Sequence, residues 1–245
     1  MIRPEAIRVL DADPDLGAGV PAEQWPLAVR AAVAPLLALS AREPWPLKDE
    51  AAGGGHLGLL VIEGIVARSV NIGPRSSLEL LGPGDILRPW ANSRYELADV
   101  GWSVLATLRL AALDQGFANR VAAWPQISDA ISERLLLRSR NLSHLLAISH
   151  LVTVEERVLM SLWHFANRWG RVTPHGVVLR LPLTHEVLGA VVGARRPPVS
   201  SALGALAQKG LVLRSDEGAW ILRGPAPASE PGRRRAVPIR DPLTG

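Results

Sequence analysis

The sequence of 245 residues contains no cysteine and no long uninterrupted hydrophobic run. The absence of cysteine excludes disulfide bonds, thiolate zinc sites, cysteine-ligated iron–sulfur clusters and a cysteine nucleophile. The most apolar stretch, residues 27–39, is interrupted by Arg30 and Pro35 and falls short of the roughly 20 residues that span a bilayer. The first ten residues also lack the apolar run of a signal peptide, so we expect a cytoplasmic protein without a membrane span.

Motifs for catalysis and for metal binding are missing as well. There is no P-loop and no G-x-S-x-G elbow. His185 and Glu186 begin like a metalloprotease helix, but the fourth residue after His185 is Gly189, so the zinc pair is incomplete. Residues 53–58 formally fit G-x-G-x-x-G but precede a strand-like run instead of following one. We therefore expect no catalytic residue, no metal and no cofactor.

Positive charge is concentrated at the end of the chain. Nine basic and four acidic residues lie between position 193 and the end, a net charge of +5 in a chain whose total is +4. Such one-sided basicity is typical of a segment that binds a polyanion, although a solvated basic tail is an equal alternative. The part from 225 to 245 holds five prolines and the run Arg233, Arg234 and Arg235, and is predicted to be a disordered tail.

The first half of the chain predicts a helical segment followed by a β domain. Residues 1–50 contain scattered prolines around one helix-like stretch at 25–39, which indicates a helical lead-in. Residues 51–124 hold short apolar runs at 57–64, 65–70 and 77–81, separated by Gly, Pro and Asn. Such runs are typical of antiparallel strands in a sandwich or barrel, and 102–113 would add a further pair.

Beyond residue 125 the hydrophobic period changes to that of a helix. One stripe is formed by Ile127, Ile131, Leu135, Leu142, Leu145 and Ser149, interrupted by Arg138. This pattern predicts one long amphipathic helix over 125–150. A second copy of the chain is the simplest partner for its apolar face, and packing on its own domain is an equally open alternative.

Residues 151–224 predict a helix–turn–helix followed by a β-hairpin. Thr153 begins a helix to Trp169, a strand follows at 177–181, and two helices at 184–192 and 196–209 are joined at Gly193. Apolar residues of the second helix recur at helical spacing, namely Val199, Ala202, Leu203 and Leu206. Segments 211–214 and 219–223 complete the winged-helix order, which favours DNA binding over an ordinary helical hairpin.

The polar faces of these two helices supply the candidate DNA contacts. Arg is well shaped for guanine or phosphate, and small residues such as Ser let a helix approach the major groove. The hairpin would lie along the phosphate backbone as a wing. The candidate DNA-binding residues are Thr184, His185, Arg195, Arg196, Ser200, Ser201, Lys209 and Arg214.

Three stretches of sequence resemble the Crp-Fnr family of bacterial transcription regulators. They are LPLTHEVLGAVVGARRPPVSSAL at 181–203 together with Leu206 and 209–211, GLLVIEG at 58–64, and LLGPGDIL at 80–87. The resemblance covers residues 56–224 and implies an α+β fold. It implies a jelly-roll-like β-roll sensor at 51–124, a dimerisation helix at 125–150 and a winged helix–turn–helix at 151–224.

Compared position by position with this family, the sequence differs at several of the family's functional positions. Arg196 matches the family's arginine at the start of the recognition helix, but Pro197 and Ser201 replace the glutamate and second arginine that family members often carry. The sensor lacks the Gly-Glu pair that precedes the Arg of cyclic-nucleotide-binding members. The candidates for an effector site are Arg88, Arg94 and Glu96, for which plain surface charge is the favoured interpretation.

The sequence thus predicts a homodimeric DNA-binding transcription regulator that reads an inverted repeat through a recognition helix at 196–209. The predicted partners are double-stranded DNA, a second copy of the chain and an unknown small-molecule effector, with RNA polymerase as a further candidate. We expect no response to cyclic AMP of the usual kind. The alternative is a β-roll module that binds a small molecule or a protein, with DNA contact secondary.

Overall fold

The structure is a computed structural model that describes residues 5–46, 57–89 and 98–227, and it shows an α+β chain with two antiparallel sheets. The larger sheet contains β1 (Ala6–Arg8), β2 (Val33–Leu39), β3 (Gly58–Ile72), β4 (Arg75–Leu81), β5 (Ile86–Leu87) and β6 (Asp99–Leu113). Its order is β1-β2-β6-β3-β4, with β5 paired to β3. No helix in the described ranges is both long and apolar enough to cross a membrane.

The large sheet is buried on both faces. Leu59 and Val61 of β3 join one apolar cluster, which lies among the strands themselves. Leu60 points to the opposite face and packs with the helices of the first half of the chain. Further along β3, Ile65 and Ala67 pack against the C-terminal helices. Because neighbouring residues are buried on opposite faces, this strand has a continuous apolar sequence in place of an alternating one.

A glycine accounts for the length and bend of β3. Gly64 has φ +89°, and a Cβ at this position would lie 2.0 Å from the carbonyl oxygen of Thr107. The pairing of β3 with β6 shifts register around this residue, as in a β-bulge. The prediction of separate strands at 57–64 and 65–70 is therefore wrong, and 102–113 likewise belongs to one strand.

The helix predicted over 25–39 is correct only in its first half. Helix α2 (Trp25–Ala31) follows α1 (Val9–Ala12) and a short 3-10 helix (Pro14–Gly17), and residues 33–39 form β2. Pro35 cannot lie inside a helix without breaking it, and it is tolerated in β2 opposite Ala6 of the three-residue strand β1. Segment 1–50 is thereby tied into the large sheet, since β2 also pairs with β6.

The long helix is present as predicted, but its stripe divides between two environments. Helix α4 (Pro125–Ser149) follows α3 (Gln115–Val121) and begins with Pro125 at its first position. Ile127 and Ile131 are buried against the chain's own sensor. Leu142 is exposed, as are Leu136 and Leu146 outside the predicted stripe. The first half of α4 thus packs on its own domain, and the second half presents apolar side chains to solvent.

The C-terminal domain has the predicted helices and hairpin, with one additional strand. It contains α5 (Val154–Trp169), β7 (Arg171–Thr173), β8 (Gly176–Leu179), α6 (His185–Val192), α7 (Arg196–Gln208), β9 (Val212–Arg214) and β10 (Trp220–Leu222). Its sheet has the order β7-β8-β10-β9. A capping box of Thr153 and Glu156 begins α5, as expected from the sequence. Strand β7 escapes prediction because its three residues show no apolar pattern.

The C-terminal domain rests on the outer face of the sensor sheet. Ile65, Ala67 and Leu80 of β3 and β4 share one buried cluster with α5, α6 and α7. Next to this contact, Asp85 of the 82–85 turn accepts bonds of 2.5 and 2.6 Å from Arg168 of α5. Burial raises the pKa of the Asp85 carboxyl, against the opposing positive charge of Arg168. Apolar packing and an ion pair therefore hold the two domains together.

A second set of charges joins α4 to the sensor. Arg138, which interrupts the predicted stripe, donates from Nε and Nη2 to the two carboxylate oxygens of Glu79 at 2.7 and 2.8 Å. Arg68 approaches the same carboxylate at 3.8 Å. The Glu79 side chain is only 8% exposed, so its charge depends on these two arginines.

Removal of the Glu79 carboxylate should destabilise the protein far more than removal of an exposed one. Glu79→Ala leaves the Arg138 guanidinium, which is 19% exposed, without its bidentate counter-charge, so we expect a loss of about 3 kcal/mol in the free energy of unfolding. Glu63→Ala is the matched control, because Glu63 pairs with Arg109 at 3.7 Å but is 65% exposed, and should cost less than about 1 kcal/mol. Urea denaturation measures both, and equal losses would contradict the assignment.

Candidate nucleic-acid interface

Local sequence fixes both ends of α6. The Thr184 hydroxyl accepts a hydrogen bond from the Val187 N–H at 3.1 Å and so caps the first turn. At the other end, Gly193 adopts the left-handed conformation with φ +62°, which glycine reaches without steric cost. Gly189 allows the returning chain to approach closely, because a Cβ there would lie 2.6 Å from the Ala194 carbonyl oxygen. These residues set the sharp turn between α6 and α7.

Helix α7 buries one face and exposes the other. Val199, Ala202, Leu203 and Leu206 are buried in the domain core, as their spacing predicts. The opposite face presents Arg196, Pro197, Ser201 and Gly204 to solvent. Pro197 and Pro198 lie in the first turn, where their missing N–H groups would lack an intrahelical partner in any case. The exposed face is therefore narrow, with a guanidinium at its start.

A residue outside the predicted set holds the two helices in place. Arg157 of α5 donates from Nη1 to the carbonyl oxygen of Val192 at 2.7 Å. Val192 is the last residue of α6, where carbonyl groups lack intrahelical partners. The sequence gives no signal for this role, because an arginine in the second turn of α5 has the pattern of an ordinary surface residue.

Two predicted contact residues bind one another. His185 Nδ1 lies 2.8 Å from the Ser200 hydroxyl, which also donates to the Arg196 carbonyl oxygen at 3.1 Å. The Ser200 hydroxyl is thus engaged within the domain, while Ser201 is exposed. The Thr184 hydroxyl is likewise occupied as the cap of α6. The side chains of Thr184, His185 and Ser200 are therefore engaged within the domain, whereas the exposed Ser201 hydroxyl can contact a ligand.

The arginines at the start of α7 are the most available charged groups of this surface. Arg195 and Arg196 are exposed, and neither side chain forms an ion pair or hydrogen bond with any residue that the structure describes. An open cavity of about 400 Å³ is lined by Thr184, His185, Glu186 and Arg196. The structure therefore brings six of the predicted residues to one end of the helix pair: Thr184, His185, Arg195, Arg196, Ser200 and Ser201.

The other two predicted residues lie away from this cluster. Lys209 follows the end of α7, roughly 20 Å along the axis from Arg196, and forms an ion pair with Glu155 of α5. Arg214 of β9 stacks over the Trp220 ring at 4.3 Å and approaches the Leu183 carbonyl oxygen at 3.4 Å. These two basic side chains flank α7 on the side of its C-terminus and on the side of the hairpin.

The tip of the hairpin carries acid where a phosphate contact was expected. Asp216 and Glu217 are exposed in the turn between β9 and β10. Glu217 forms a 3.0 Å ion pair with Arg180, and both side chains are more than 70% exposed. Negative charge at this tip disfavours a phosphate there, so the basic contribution of the hairpin comes from Arg214, the last residue of β9 before the turn.

Of the three candidate residues for an effector site, one lies among the residues that the structure describes. Arg88 is exposed and follows β5, while Arg94 and Glu96 lie outside the described residues, as do the glycines at 53–55 and the arginines at 233–235. Within the described ranges, no group of three His, Asp or Glu side chains is arranged to hold a metal ion.

Comparison with known families supports the interpretation of the C-terminal domain. Residues 156–225 match the model of the Crp-like helix-turn-helix domain. This segment includes α6, α7 and the hairpin. No curated protein matches the sequence significantly.

Solved structures share the fold of most of the chain. A cyclic nucleotide-binding domain containing protein from Listeria monocytogenes EGD-e is 19% identical with a TM-score of 0.63, over 76% of this chain and 87% of that one. A CooA mutant from Carboxydothermus hydrogenoformans is 19% identical with a TM-score of 0.59, over 77% and 83%. A CRP-family transcriptional regulator from Thermus thermophilus is 17% identical with a TM-score of 0.55, over 76% and 92%.

The domain match and the shared fold confirm the predicted resemblance to Crp-Fnr regulators and the α+β fold class. A β-roll precedes a helix–turn–helix in the chain, as the resemblance implies. The Crp-like domain supports DNA-binding transcription regulation as the function of the chain.

A methyl group at Gly189 should disturb the turn that positions α7. Gly189→Ala places a Cβ 2.6 Å from a backbone carbonyl oxygen, so we expect a loss of about 1–3 kcal/mol in the free energy of unfolding. Gly204→Ala, on the exposed face of α7 with open space around the added Cβ, is the control and should stabilise the protein by about 0.5–1 kcal/mol. Thermal or urea unfolding distinguishes them, and a stabilising Gly189→Ala would refute the close approach.

Proposed function

We propose that this protein binds an inverted-repeat DNA site as a homodimer and reads base edges through the exposed face of α7. The observation that carries the proposal is the exposed Arg196 side chain at the start of that helix, which has no partner among the described residues. A guanidinium without an internal partner keeps all of its donors for a ligand. Its fork matches the O6 and N7 acceptors of guanine in the major groove.

The remaining surface of α7 suits entry into a major groove. Ser201 and Gly204 lie on the exposed face and are too small to keep the helix away from base edges. Ser201 supplies a hydroxyl that can both donate and accept, whereas the Ser200 hydroxyl is engaged by His185. We assign base contact to Arg196 and Ser201, and to His185 and Ser200 the role of holding the start of α7.

Phosphate contacts would surround this central helix. Arg195 precedes α7, Thr184 precedes α6, Lys209 follows α7, and Arg214 ends β9 next to the hairpin turn. Helix N-termini and basic side chains are common partners of phosphate groups and fix the register of a protein on DNA. The acidic hairpin tip at 216–217 would be kept away from the backbone by repulsion.

The exposed side of α4 supplies a surface for a second copy. Side chains recur there at alternating spacings of three and four residues, as in a coiled coil: Ser128, Ser132, Leu135, Ser139, Leu142, Leu146 and Ser149, of which Leu135 also packs on the chain's own apolar cluster. Leu142 and Leu146 are 40% and 62% exposed in the single chain. The serines permit close approach of two helices, and the leucines supply the apolar area that association would bury.

A dimer along α4 carries two copies of α7 related by a two-fold axis. Such a dimer fits an inverted repeat with half-sites about 34–36 Å apart, one turn of DNA. The dimer, the repeat and RNA polymerase as a further partner are proposals that follow from the resemblance and from the exposed seam of α4.

The sensor would not bind cyclic AMP in the way of the family's nucleotide-binding members. The sequence lacks the Gly-Glu pair after the 82–85 turn, and the stacked Trp45 and Trp102 pack against the apolar cluster among the strands. The tail at 225–245, with Arg233, Arg234 and Arg235, would add a sequence-independent phosphate contact.

Truncation of Arg196 should reduce affinity for the specific site and relax its sequence preference. With a site selected from a random pool, we expect Arg196→Ala to lose about 1–3 kcal/mol of binding free energy and discrimination at one position of each half-site. Arg109→Ala, which removes an exposed arginine from the sensor sheet, should leave both unchanged. Fluorescence anisotropy on matched and mismatched duplexes measures these effects. A uniform loss on all sequences would instead assign Arg196 to a phosphate.

A charge in the α4 seam should separate the dimer. We expect Leu142→Glu to sediment as a monomer at micromolar concentration and to bind the inverted repeat more weakly, because a carboxylate would have to be buried between the helices. Leu27→Glu is the control, since Leu27 is similarly exposed on α2 but lies outside the seam. Analytical ultracentrifugation and circular dichroism separate dissociation from unfolding. A monomeric wild type would overturn the dimer.

A further inference from the structure

A cleft lies where the β domain, α4 and α5 meet, and its lining includes none of the candidate DNA-binding residues. Its volume is about 450 Å³, within the range of pockets for small molecules. The 82–85 turn forms one wall, α4 the second and the end of α5 the third. Besides Asp85, the polar residues of the lining are Arg134, Asn141, His144, His164, Asn167 and Arg168.

The chemistry of this lining favours a negatively charged ligand. It combines two guanidinium groups, two imidazoles and two carboxamides. The carboxylate in the lining, Asp85, is 6% exposed and already accepts bonds from Arg168 and from the Gly82 N–H at 2.8 Å. Arg168 balances its charge, and Asp13 pairs with Arg134 at 3.0 Å, so the surface left to a ligand consists of the unused donors of the two guanidinium groups, the imidazoles and the carboxamides.

Several donors in the cleft have no partner in the described part of the chain. The Nε2 atom of His164 is buried without a hydrogen bond. Arg168 uses only Nη2 in its contact with Asp85, and its guanidinium stacks on Trp169 at 4.1 Å. The Nε and Nη1 groups of Arg168 are thus left to donate to a ligand in the cleft.

The imidazoles of the cleft are close to one another. The rings of His144 and His164 lie 6.1 Å apart between centroids. Burial lowers the pKa of His164 to about 4, and the charges of Arg168 and His144 act in the same direction. Near pH 7 the His164 ring is therefore neutral, and it still retains one N–H donor for an oxygen atom.

Formation of a dimer would leave the cleft open. At 100° per residue, Asn141 and His144 lie about 100–160° around the helix from Leu142 and Leu146 of the seam, and Arg134 lies about 80–120° from them. Asn141 and His144 therefore face away from the proposed partner helix. The site is built by one chain.

We propose that this cleft binds a small oxyanion, a phosphate or carboxylate group of a metabolite, held by Arg168, Arg134 and the adjacent imidazole and carboxamide groups. An occupant would contact the sensor turn, α4 and the DNA-binding domain together, because each supplies one wall. Arg168 would share its charge between the oxyanion and Asp85. The proposal concerns the cleft alone and does not require the chain to bind DNA.

Isothermal titration of the full chain without DNA tests the site, with inorganic phosphate, pyrophosphate and citrate as probes in chloride buffer. We expect saturable binding of at least one probe at millimolar concentration or below, and the preferred probe separates phosphate from carboxylate chemistry. Asn167→Asp introduces a carboxylate at an exposed lining position and should weaken that binding about tenfold by repulsion.

Two control variants make the result specific. Asn119→Asp adds the same charge on α3, where its side chain can still accept from Gln115, and should bind the probe like the wild type. Arg196→Ala should also bind it unchanged, because Arg196 lies on the DNA-binding face. Absence of saturable binding by all three probes, an unaffected Asn167→Asp, or loss of binding in Arg196→Ala would each overturn the proposal.

Discussion

The arrangement of the whole chain depends on the contact between the C-terminal domain and the outer face of the sensor sheet. Ile65, Ala67 and Leu80 supply the apolar part of this contact, and Asp85 with Arg168 supplies the charged part. Apolar burial gives most of the favourable energy of such contacts, but it is not directional. The ion pair has a defined geometry, since Arg168 must reach one carboxylate beside the 82–85 turn. Packing therefore brings the domains together, and the ion pair restricts their relative rotation.

Helix α4 is constrained by the same surfaces, and this explains its mixed composition. Its first half is apolar because Ile127 and Ile131 pack on the sensor. Its middle carries Arg134 and Arg138, which reach Asp13 and Glu79 at partly buried positions. Its second half carries leucine and serine on the exposed side, as expected for a helix that would meet a copy of itself in the proposed dimer. The β domain, the two carboxylates and the proposed partner helix thus favour apolar, basic and small residues in turn along α4. This is why the amphipathic pattern of the helix is imperfect.

Sequence reasoning succeeded where a single local rule decides the structure. Thr153, Thr184 and Gly193 mark helix ends through capping and left-handed geometry, and the spacing of Val199, Leu203 and Leu206 gives the buried face of α7. Prediction from the sequence was wrong or incomplete where residues distant along the chain determine the local structure. Residues 33–39 become a strand because β6 pairs with them, and Leu142 is exposed because the sensor ends before it. The bond from Arg157 to Val192 joins residues 35 apart, so no local pattern could reveal it.

The buried ion pairs contribute more to geometry than to net stability. Taking a carboxylate and a guanidinium out of water costs free energy that their attraction largely offsets, so a well-packed apolar pair could give similar stability. Leucines in place of Glu79 and Arg138 could slide past one another, whereas a bidentate pair holds α4 at one position along β4. In the proposed dimer along α4, a rotation at this point would also move α7, because the C-terminal domain is packed on the same sheet. The spacing of the two recognition helices, and hence the DNA site that they can share, would therefore be set by Arg138 and Arg168 rather than by the apolar core.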